Sequence, residues 1–223
     1  RGGWRGLLHD PQVRWFLILI FGLVLMLCWH LVHNGLGLGD AIRQASFNGV
    51  SIITGTGYVS ANFSAWGGFA TTILLIVMFI GGCGGSTTCG IKVFRLQVLA
   101  GTVKVQISRL LRPHAVVLAY YNKRPVSGEV MDSVMGFFYL YILGFVVIAL
   151  FLGMTGLDFV TALSGAATSI SNVGPGLGEV IGAEGNFSSV PDSAKWVMSF
   201  AMILGRLEIF TVLVMLAPGF WQR

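Results

Sequence analysis

Two short stretches of this chain combine small polar residues with glycine at spacings that could bind a bare cation. The first reads Ser51-Ile-Ile-Thr-Gly-Thr-Gly-Tyr-Val59, and the second reads Thr168-Ser-Ile-Ser-Asn-Val-Gly-Pro-Gly176. Glycine permits backbone conformations in which consecutive carbonyl groups turn to one side. Carbonyl oxygens that turn inward can replace the water around a dehydrated cation. Taken alone, the first stretch favours a simple glycine-rich turn between two helices.

The surroundings of these stretches favour an ion-selectivity filter instead. Both lie among apolar segments of membrane length, and the second is a weaker copy of the first in a related context. Residues 54–58, Thr-Gly-Thr-Gly-Tyr, closely resemble the signature loop of a potassium-channel filter. The predicted filter residues are Ile53, Thr54, Gly55, Thr56 and Gly57 in the first stretch and Ser171, Asn172, Val173 and Gly174 in the second.

The composition indicates a membrane protein. Apolar residues make up 55% of the chain and charged residues 10%, which is too few charges to cover a soluble globule. Several apolar runs reach the length of about 20 residues that a helix needs to cross a bilayer. We therefore predict an all-α polytopic membrane protein, and we exclude a soluble protein, a nucleic-acid-binding protein and a secreted disulfide scaffold.

The order of elements predicts an internal repeat. Helices are expected over residues 15–32, 40–53, 67–80, 91–107, 131–154, 158–171 and 196–216. The short helices at 40–53 and 158–171 cannot span a bilayer, so we interpret them as re-entrant pore helices, with Asp40 capping the first. When Gly57 is laid on Gly174, Ser51 falls on Thr168. The chain then divides into two parallel helix–pore-helix–helix units, 1–112 and 113–223, which resemble the units of potassium channels.

Charge predicts the orientation of these units. Basic residues gather at the connector between them and near residue 1, whereas acidic residues gather on the filter side. By the positive-inside rule the connector and both termini are cytoplasmic, and four helices cross the membrane. The filters then face outward beneath an acidic vestibule that concentrates cations. The short helices direct their carboxyl ends, which carry partial negative charge, toward the filters, and this favours a cation over an anion.

A glycine-rich run at residues 81–90 interrupts the helix that follows the first filter. It is not a phosphate-binding loop, because Ile91 stands between Gly90 and Lys92 and removes the Gly-Lys-Ser/Thr ending. A mobile gate and close helix packing through small residues are equally compatible with this run. The predicted gating residues in it are Gly81, Gly82, Cys83, Gly84, Gly85, Ser86, Thr87 and Thr88.

Arg206 is predicted to lie well inside the last helix. An arginine at the bilayer centre costs about 2.5–3.5 kcal/mol on insertion scales, so its side chain must face a cavity or a partner. Glu208 lies on a different helix face and is not the expected partner. Arg206 could donate hydrogen bonds to carbonyls of residues 81–90 and repel cations in a closed pore, or it could form a structural ion pair with another element.

Catalysis finds no support in the sequence. No predicted membrane helix carries a deep acidic pair, a His-Glu-x-x-His motif or a Gly-x-Ser-x-Gly motif. We therefore predict that the protein is not an enzyme.

Three motifs in order resemble the C-terminal half of bacterial Trk-type potassium uptake proteins, of the Trk/Ktr/HKT superfamily. They are Phe79-Ile-Gly-Gly-Cys-Gly-Gly-Ser-Thr-Thr-Cys-Gly-Ile-Lys92, Asn172-Val-Gly-Pro-Gly-Leu-Gly178 and Gly205-Arg-Leu-Glu-Ile-Phe-Thr211. The resemblance implies four helix–pore-helix–helix units around one pseudo-fourfold pore, of which this chain supplies the third and fourth and thus half of the pore. It implies that Gly57 and Gly174 are filter glycines, that residues 81–90 are the intramembrane gating loop, and that Arg206 is a pore arginine.

The same resemblance implies potassium uptake across the bacterial cytoplasmic membrane. It implies as partners an N-terminal half of the same protein, a second copy in a homodimer, a cytoplasmic nucleotide-binding regulatory subunit of the TrkA type, and the lipid bilayer, but no nucleic acid. The chain begins at Arg1 without methionine, and we expect it to be one piece of a longer protein. Two alternatives remain open: a two-repeat cation channel that dimerises into a fourfold pore, and a non-conducting membrane docking subunit.

Overall fold

The structure is a computed structural model that describes residues 10–112, 117–122, 124–207 and 214–215. These residues contain seven α-helices and one short β-hairpin. The helices are α1 (Pro11–His33), α2 (Leu38–Ile53), α3 (Gly68–Met78), α4 (Val93–Leu111), α5 (Gly128–Met154), α6 (Phe159–Ser171) and α7 (Asp192–Arg206). Short 3-10 helices, Phe63–Trp66 and Phe187–Ser189, lie between α2 and α3 and between α6 and α7.

The four predicted membrane crossings differ in how continuous they are within the described residues. Only α1 and α5 are long and apolar enough there to cross a membrane, while α3 and α6 are shorter apolar helices. The second predicted crossing is divided between α3 and α4, with residues 81–90 between them. The last one begins earlier than predicted, at Asp192, and ends at Arg206. Glu208, Lys123 and residues 1–9 lie outside the described residues.

Capping residues account for where several helices begin. Asp10 accepts a hydrogen bond from the Gln12 N–H at 2.8 Å and Pro11 occupies the first turn, so α1 begins four residues before the predicted start. The prediction that Asp40 caps the first short helix is wrong. Gly37 holds that position, and Asp40 lies in the first turn of α2, where its negative charge still favours the helix dipole.

The polar connector, predicted over residues 109–129, is shorter than expected and partly folded. α4 continues to Leu111 and α5 begins at Gly128, so each flanking helix takes residues from it. Between them, strands β1 (Tyr120–Tyr121) and β2 (Arg124–Pro125) form a small antiparallel hairpin. Val126 extends this hairpin, because its N–H donates to the Ala119 carbonyl at 2.8 Å.

Two apolar clusters pack against the two short helices and bury the C-terminal end of each. The first packs α1 and α3 around the C-terminal end of α2, where Ile52 and Ile53 are each 1% exposed. The second packs α5 and α7 around α6, and Ile170 at its centre is fully buried. Because the C-terminal turns of α2 and α6 are held by core packing, the loops that follow them begin from fixed positions.

Candidate ion filter and intramembrane loop

The first glycine stretch folds back onto the end of α2. The N–H groups of Thr56 and Gly57 both donate to the Ser51 carbonyl, at 2.9 and 3.3 Å. Gly55 and Gly57 adopt φ angles of 66° and 77°, in the left-handed region that favours glycine. The loop is therefore a tight turn whose shape depends on both glycines.

The second stretch makes the same return at the end of α6. The Val173 N–H donates to the Thr168 carbonyl at 3.0 Å, and the Gly174 N–H donates to the Thr168 hydroxyl at 2.9 Å. Asn172 and Gly174 have φ angles of 53° and 114°. The alignment of Gly57 with Gly174 also pairs Thr56 with Val173, so corresponding N–H groups bind corresponding carbonyls in the two loops.

The two loops lie directly against each other through their main chains. A Cβ atom on Gly57 would clash with the Val173 carbonyl oxygen, so there is room only for a hydrogen atom at this position. A Cβ atom on Gly174 would lie 3.8 Å from the Gly57 Cα, and one on Gly55 would lie 3.8 Å from the Asn172 carbonyl oxygen. The fold thus brings together the two stretches that the sequence analysis selected.

Where the two loops leave α2 and α6, side chains form hydrogen bonds within the protein. The Thr54 hydroxyl donates to the Val50 carbonyl at 2.7 Å and accepts from the Thr56 hydroxyl at 2.7 Å. Ser171 is buried, and its hydroxyl lies 2.7 Å from the Tyr141 hydroxyl of α5. At both places the main-chain carbonyls remain as the groups that could contact an ion.

Residues 81–90 form a closed loop with a hydrogen-bonded neck. The Gly81 N–H donates to the Ile91 carbonyl at 2.9 Å, and the Ile91 N–H donates to the Phe79 carbonyl at 2.8 Å. A third bond joins the Val93 N–H to the Gly82 carbonyl at 3.1 Å. These bonds hold the end of α3 close to the start of α4, and the residues between them project as one loop.

Three helices hold this projecting loop. The Thr88 hydroxyl donates to the Thr54 carbonyl at 3.3 Å, which ties the loop to the inner end of the first glycine stretch. Gln12 at the start of α1 accepts from the Gly84 N–H at 2.6 Å. Arg206 of α7 donates to the Thr87 carbonyl at 2.6 Å, which is the contact with the loop that the sequence analysis anticipated.

The position of Arg206 within its helix differs from the prediction. It is the last residue of α7 and not a residue in the middle of a longer helix, and its side chain is exposed. A cation at a helix C-terminus is favoured by the helix dipole. The Arg206 guanidinium also lies 3.7 Å from the Cys89 sulfur, so it contacts the loop at both Thr87 and Cys89.

A cavity of about 250 Å³ lies beside the loop. Its charged lining residues are Lys92, Arg95 and Arg206, and the Arg95 guanidinium lies 3.8 Å from the centre of the Phe137 ring. The Arg206 side chain that binds the loop therefore also lines this cavity.

Sequence reasoning missed Gln12 and Tyr141 as parts of this arrangement. Tyr141 lies in a strongly apolar helix, where an aromatic residue is usually a core residue, and Gln12 lies at an ordinary helix start. Neither carries a local signal, because their contacts with Gly84 and Ser171 join residues far apart in the chain.

Two short helices whose carboxyl ends meet at apposed glycine loops, within an apolar helical protein, are features of the class of cation-conducting membrane proteins. A family model described as TrkH, cation transport protein, matches residues 3–223. The chain therefore belongs to the TrkH family of cation transport proteins. Members of this family are transporters and not enzymes, and the relatives indicate an inner-membrane protein.

Named relatives and a solved structure support this family assignment. The Trk system potassium uptake protein TrkI of Halomonas elongata is 44% identical over 223 residues, which is 100% of this chain and 45% of that protein. TrkH of Vibrio parahaemolyticus is 42% identical over 216 residues, which is 96% of this chain and 44% of that protein.

The crystal structure of the potassium transporter TrkH from Vibrio parahaemolyticus matches the fold. Its TM-score is 0.89 at 40% sequence identity, and the match covers 97% of this chain and 46% of the solved chain. The chain thus spans a little under half the length of the relatives that it matches.

Proposed function

We propose that this chain forms half of a potassium uptake pore, in which its two glycine stretches are two of four filter segments. The observation that carries the proposal is the contact between Gly57 and the Val173 carbonyl. Potassium is the proposed ion because the relatives are named potassium uptake proteins. The proposed ion path is lined by carbonyl groups of residues 53–57 and 170–174, which replace the water around the dehydrated ion.

The uncovered side of the first glycine stretch supports a pore completed by further units. On α2, Ile42 is 49% exposed and Phe47 48% exposed, and Tyr58 beyond the loop is 72% exposed. α6, in contrast, is buried along nearly its whole length by its neighbours. Two more units would cover the open side of α2, so units 1–112 and 113–223 are proposed as the third and fourth of a pseudo-fourfold pore.

The loop of residues 81–90 is proposed as the gate of this pore. It contacts the filter through Thr88 and is held by Arg206, whose side chain also lines the cavity beside the loop. A loop with a fixed neck can swing without unfolding α3 or α4. In the closed state it fills the path beneath the filter, and Arg206 repels cations there.

Proposed partners follow from the surfaces of the chain and from the family. The complete transporter is proposed to contain an N-terminal half and to form a homodimer in the cytoplasmic membrane. Both ends of this chain are proposed to lie in the cytoplasm. α4 begins directly after the gate loop and carries Arg95, Lys104 and Arg109. A cytoplasmic nucleotide-binding subunit of the TrkA type could therefore move the loop by pulling on α4.

Ion flux into liposomes tests the proposal. The complete protein that contains this chain is expected to take up rubidium, a potassium analogue, and this chain alone is expected to take up none. Uptake by the chain alone would favour the dimerising two-repeat channel. No uptake by either protein, with or without the regulatory subunit, would contradict the proposal and favour a non-conducting docking subunit.

A further inference from the structure

The residue three positions beyond each filter glycine is held by a buried polar side chain of the preceding short helix. We propose that these two side chains, Asn48 and Ser164, are positioning residues that set the ion selectivity of the filter. The inference rests on the proposed filter function of the two glycine stretches. Neither residue touches the ion path, so each acts through the main chain of its own loop.

Asn48 clamps Ser60 with both ends of its amide group. Its Oδ1 accepts a hydrogen bond from the Ser60 N–H at 3.0 Å, and its Nδ2 donates to the Ser60 hydroxyl at 3.0 Å. The Nδ2 also donates to the Gln44 carbonyl at 2.8 Å, within α2. Asn48 is fully buried, so these bonds compensate the loss of water around its amide.

Ser164 holds Leu177 in the second loop with a single hydroxyl. The Leu177 N–H donates to the Ser164 hydroxyl at 3.0 Å, and that hydroxyl donates to the Leu177 carbonyl at 3.2 Å. Ser164 is 1% exposed, and it lies about one helical turn from two other buried polar residues of α6, Thr161 and Thr168. Its hydroxyl hydrogen and one of its two lone pairs are thus both used on one residue.

The two clamps act on the same position of the two loops. Ser60 is the third residue after Gly57, and Leu177 is the third residue after Gly174. Asn48 and Ser164 differ in type and do not align with each other, yet both bind the main-chain N–H at this position. In both loops this N–H needs a hydrogen-bond acceptor, which explains why two different buried polar side chains bind it.

Each filter loop is therefore fixed at both of its ends. In the first loop, the Ser51 carbonyl holds the inner side through Thr56, and Asn48 holds the outer side through Ser60. Of the carbonyls in the proposed ion path, those of Thr56 and Gly57 lie between these anchors, so they cannot move independently. Selection of potassium over sodium depends on the number and placement of the coordinating carbonyls. If the outer anchor is released, the carbonyls can close around the smaller sodium ion.

Ser169 provides a matched control in the same helix as Ser164. It is also fully buried, and its hydroxyl has no hydrogen-bond partner among the described residues. Ser169→Ala removes the same atom as Ser164→Ala without removing a clamp. The conservative Ser164→Thr keeps a hydroxyl at the clamp, and Ser164→Cys keeps its size but hydrogen-bonds weakly.

The test measures the ratio of potassium to sodium flux of the complete protein in liposomes. For Ser164→Ala and Asn48→Ala the ratio is expected to fall about fivefold, the scale of one net hydrogen bond. Ser164→Thr and Ser169→Ala are expected to keep the parent ratio. If Ser164→Ala does not fold, Ser164→Cys takes its place in the test. This variant is also expected to lower the ratio of potassium to sodium flux.

Two outcomes separate failure of this inference from failure of the proposed function. A parent protein that conducts both ions equally would overturn the potassium filter, and the clamp with it. A selective parent whose Ser164 and Asn48 variants keep the parent ratio would overturn the clamp alone. A loss of total flux at an unchanged ratio counts against the clamp as well, because it indicates only a structural role.

Discussion

The Thr88 hydroxyl donates a hydrogen bond to the Thr54 carbonyl at 3.3 Å, and this bond joins the intramembrane loop to the first glycine stretch. Thr54 follows the last helical residue of α2, so its carbonyl lies at the negative end of that helix. A carbonyl that is bound to the loop is less available to a cation. If the loop is the proposed gate, its movement would free this carbonyl for an ion and open the path at the same time.

Removal of the Thr88 hydroxyl is expected to loosen the loop. Thr88→Val keeps the volume of the side chain but cannot donate, so potassium flux in the absence of the regulatory subunit should rise about fivefold, the scale of one net hydrogen bond. Thr88→Ser keeps the hydroxyl and should conduct like the parent. Rubidium uptake into liposomes measures both variants, and equal uptake by Thr88→Val and the parent would show that the bond does not restrain the gate.

Arg206→Ala is expected to raise potassium flux and to make it less dependent on the regulatory subunit. The substitution removes the bond to the Thr87 carbonyl and one positive charge beside the loop. Deletion of residues 83–86 should act in the same direction, since it shortens the loop and leaves Gly82 in the neck. The measurement is rubidium uptake with and without the subunit.

Arg43→Ala is the control for Arg206. Arg43 is an exposed arginine that pairs with Asp40 at 2.9 Å near the start of α2, away from the loop. Arg43→Ala should leave potassium flux unchanged. If Arg206→Ala and the deletion both behave like the parent, residues 81–90 serve as packing and the gate assignment fails.

Gly57→Ser is expected to lower potassium selectivity or abolish transport. Its Cβ would clash with the Val173 carbonyl, and its φ of 77° disfavours any side chain. Gly68→Ser is the matched control, because a Cβ there meets no atom within 4 Å. Relative uptake of potassium, rubidium and sodium checks both variants. Unchanged ratios for Gly57→Ser would remove this glycine from the filter.

The orientation of the chain can be measured by cysteine labelling. In a background without Cys28, Cys83 and Cys89, an Ala65→Cys variant should react with an impermeant thiol reagent added outside intact cells. Arg124→Cys in the hairpin should react only after the membrane is opened. Both positions are exposed, so access depends on the side of the membrane. The opposite pattern would reverse the predicted orientation.

Asp158 is expected to stabilise the protein in a pH-dependent way. It caps α6, and hydrogen bonding by Thr161, whose N–H lies 3.1 Å from Oδ2, lowers the pKa of its carboxyl group. A lowered pKa in the folded state gives stability that is present above the unfolded value of about 3.9. That stability is lost as the pH falls through the lowered pKa.

Asp158→Ala should therefore reduce the free energy of unfolding by about 1 kcal/mol at neutral pH. The difference from the parent should shrink below about pH 3.9, as the carboxylate becomes protonated. Asp158→Asn retains a cap without a titrating group and should show a flatter pH dependence. Thermal unfolding of the detergent-solubilised protein over this pH range measures all three, and a constant difference between Asp158→Ala and the parent would contradict the expected linkage.

Local properties of the sequence were enough to predict the class of protein and the candidate site. Apolar runs and the low fraction of charged residues indicate a helical membrane protein, because each property is read from neighbouring residues. The positions of Gly55, Gly57 and Gly174 predicted tight loops, since a left-handed backbone favours glycine wherever it occurs. Helix starts were less predictable: Asp10 and Asp40 both suit a cap, and only Asp10 is used as one.

The tertiary structure decided which groups meet. Contact of Gly57 with the Val173 carbonyl and of Arg206 with the Thr87 carbonyl joins residues more than a hundred positions apart, so no local pattern specifies it. The clamp at Ser164 was invisible for the same kind of reason, because a serine in a short apolar helix carries no sign of its partner until the loop returns over it. The sequence by itself determined that two glycine loops would form, and the packing of α2 and α6 in the core decided that the loops face each other.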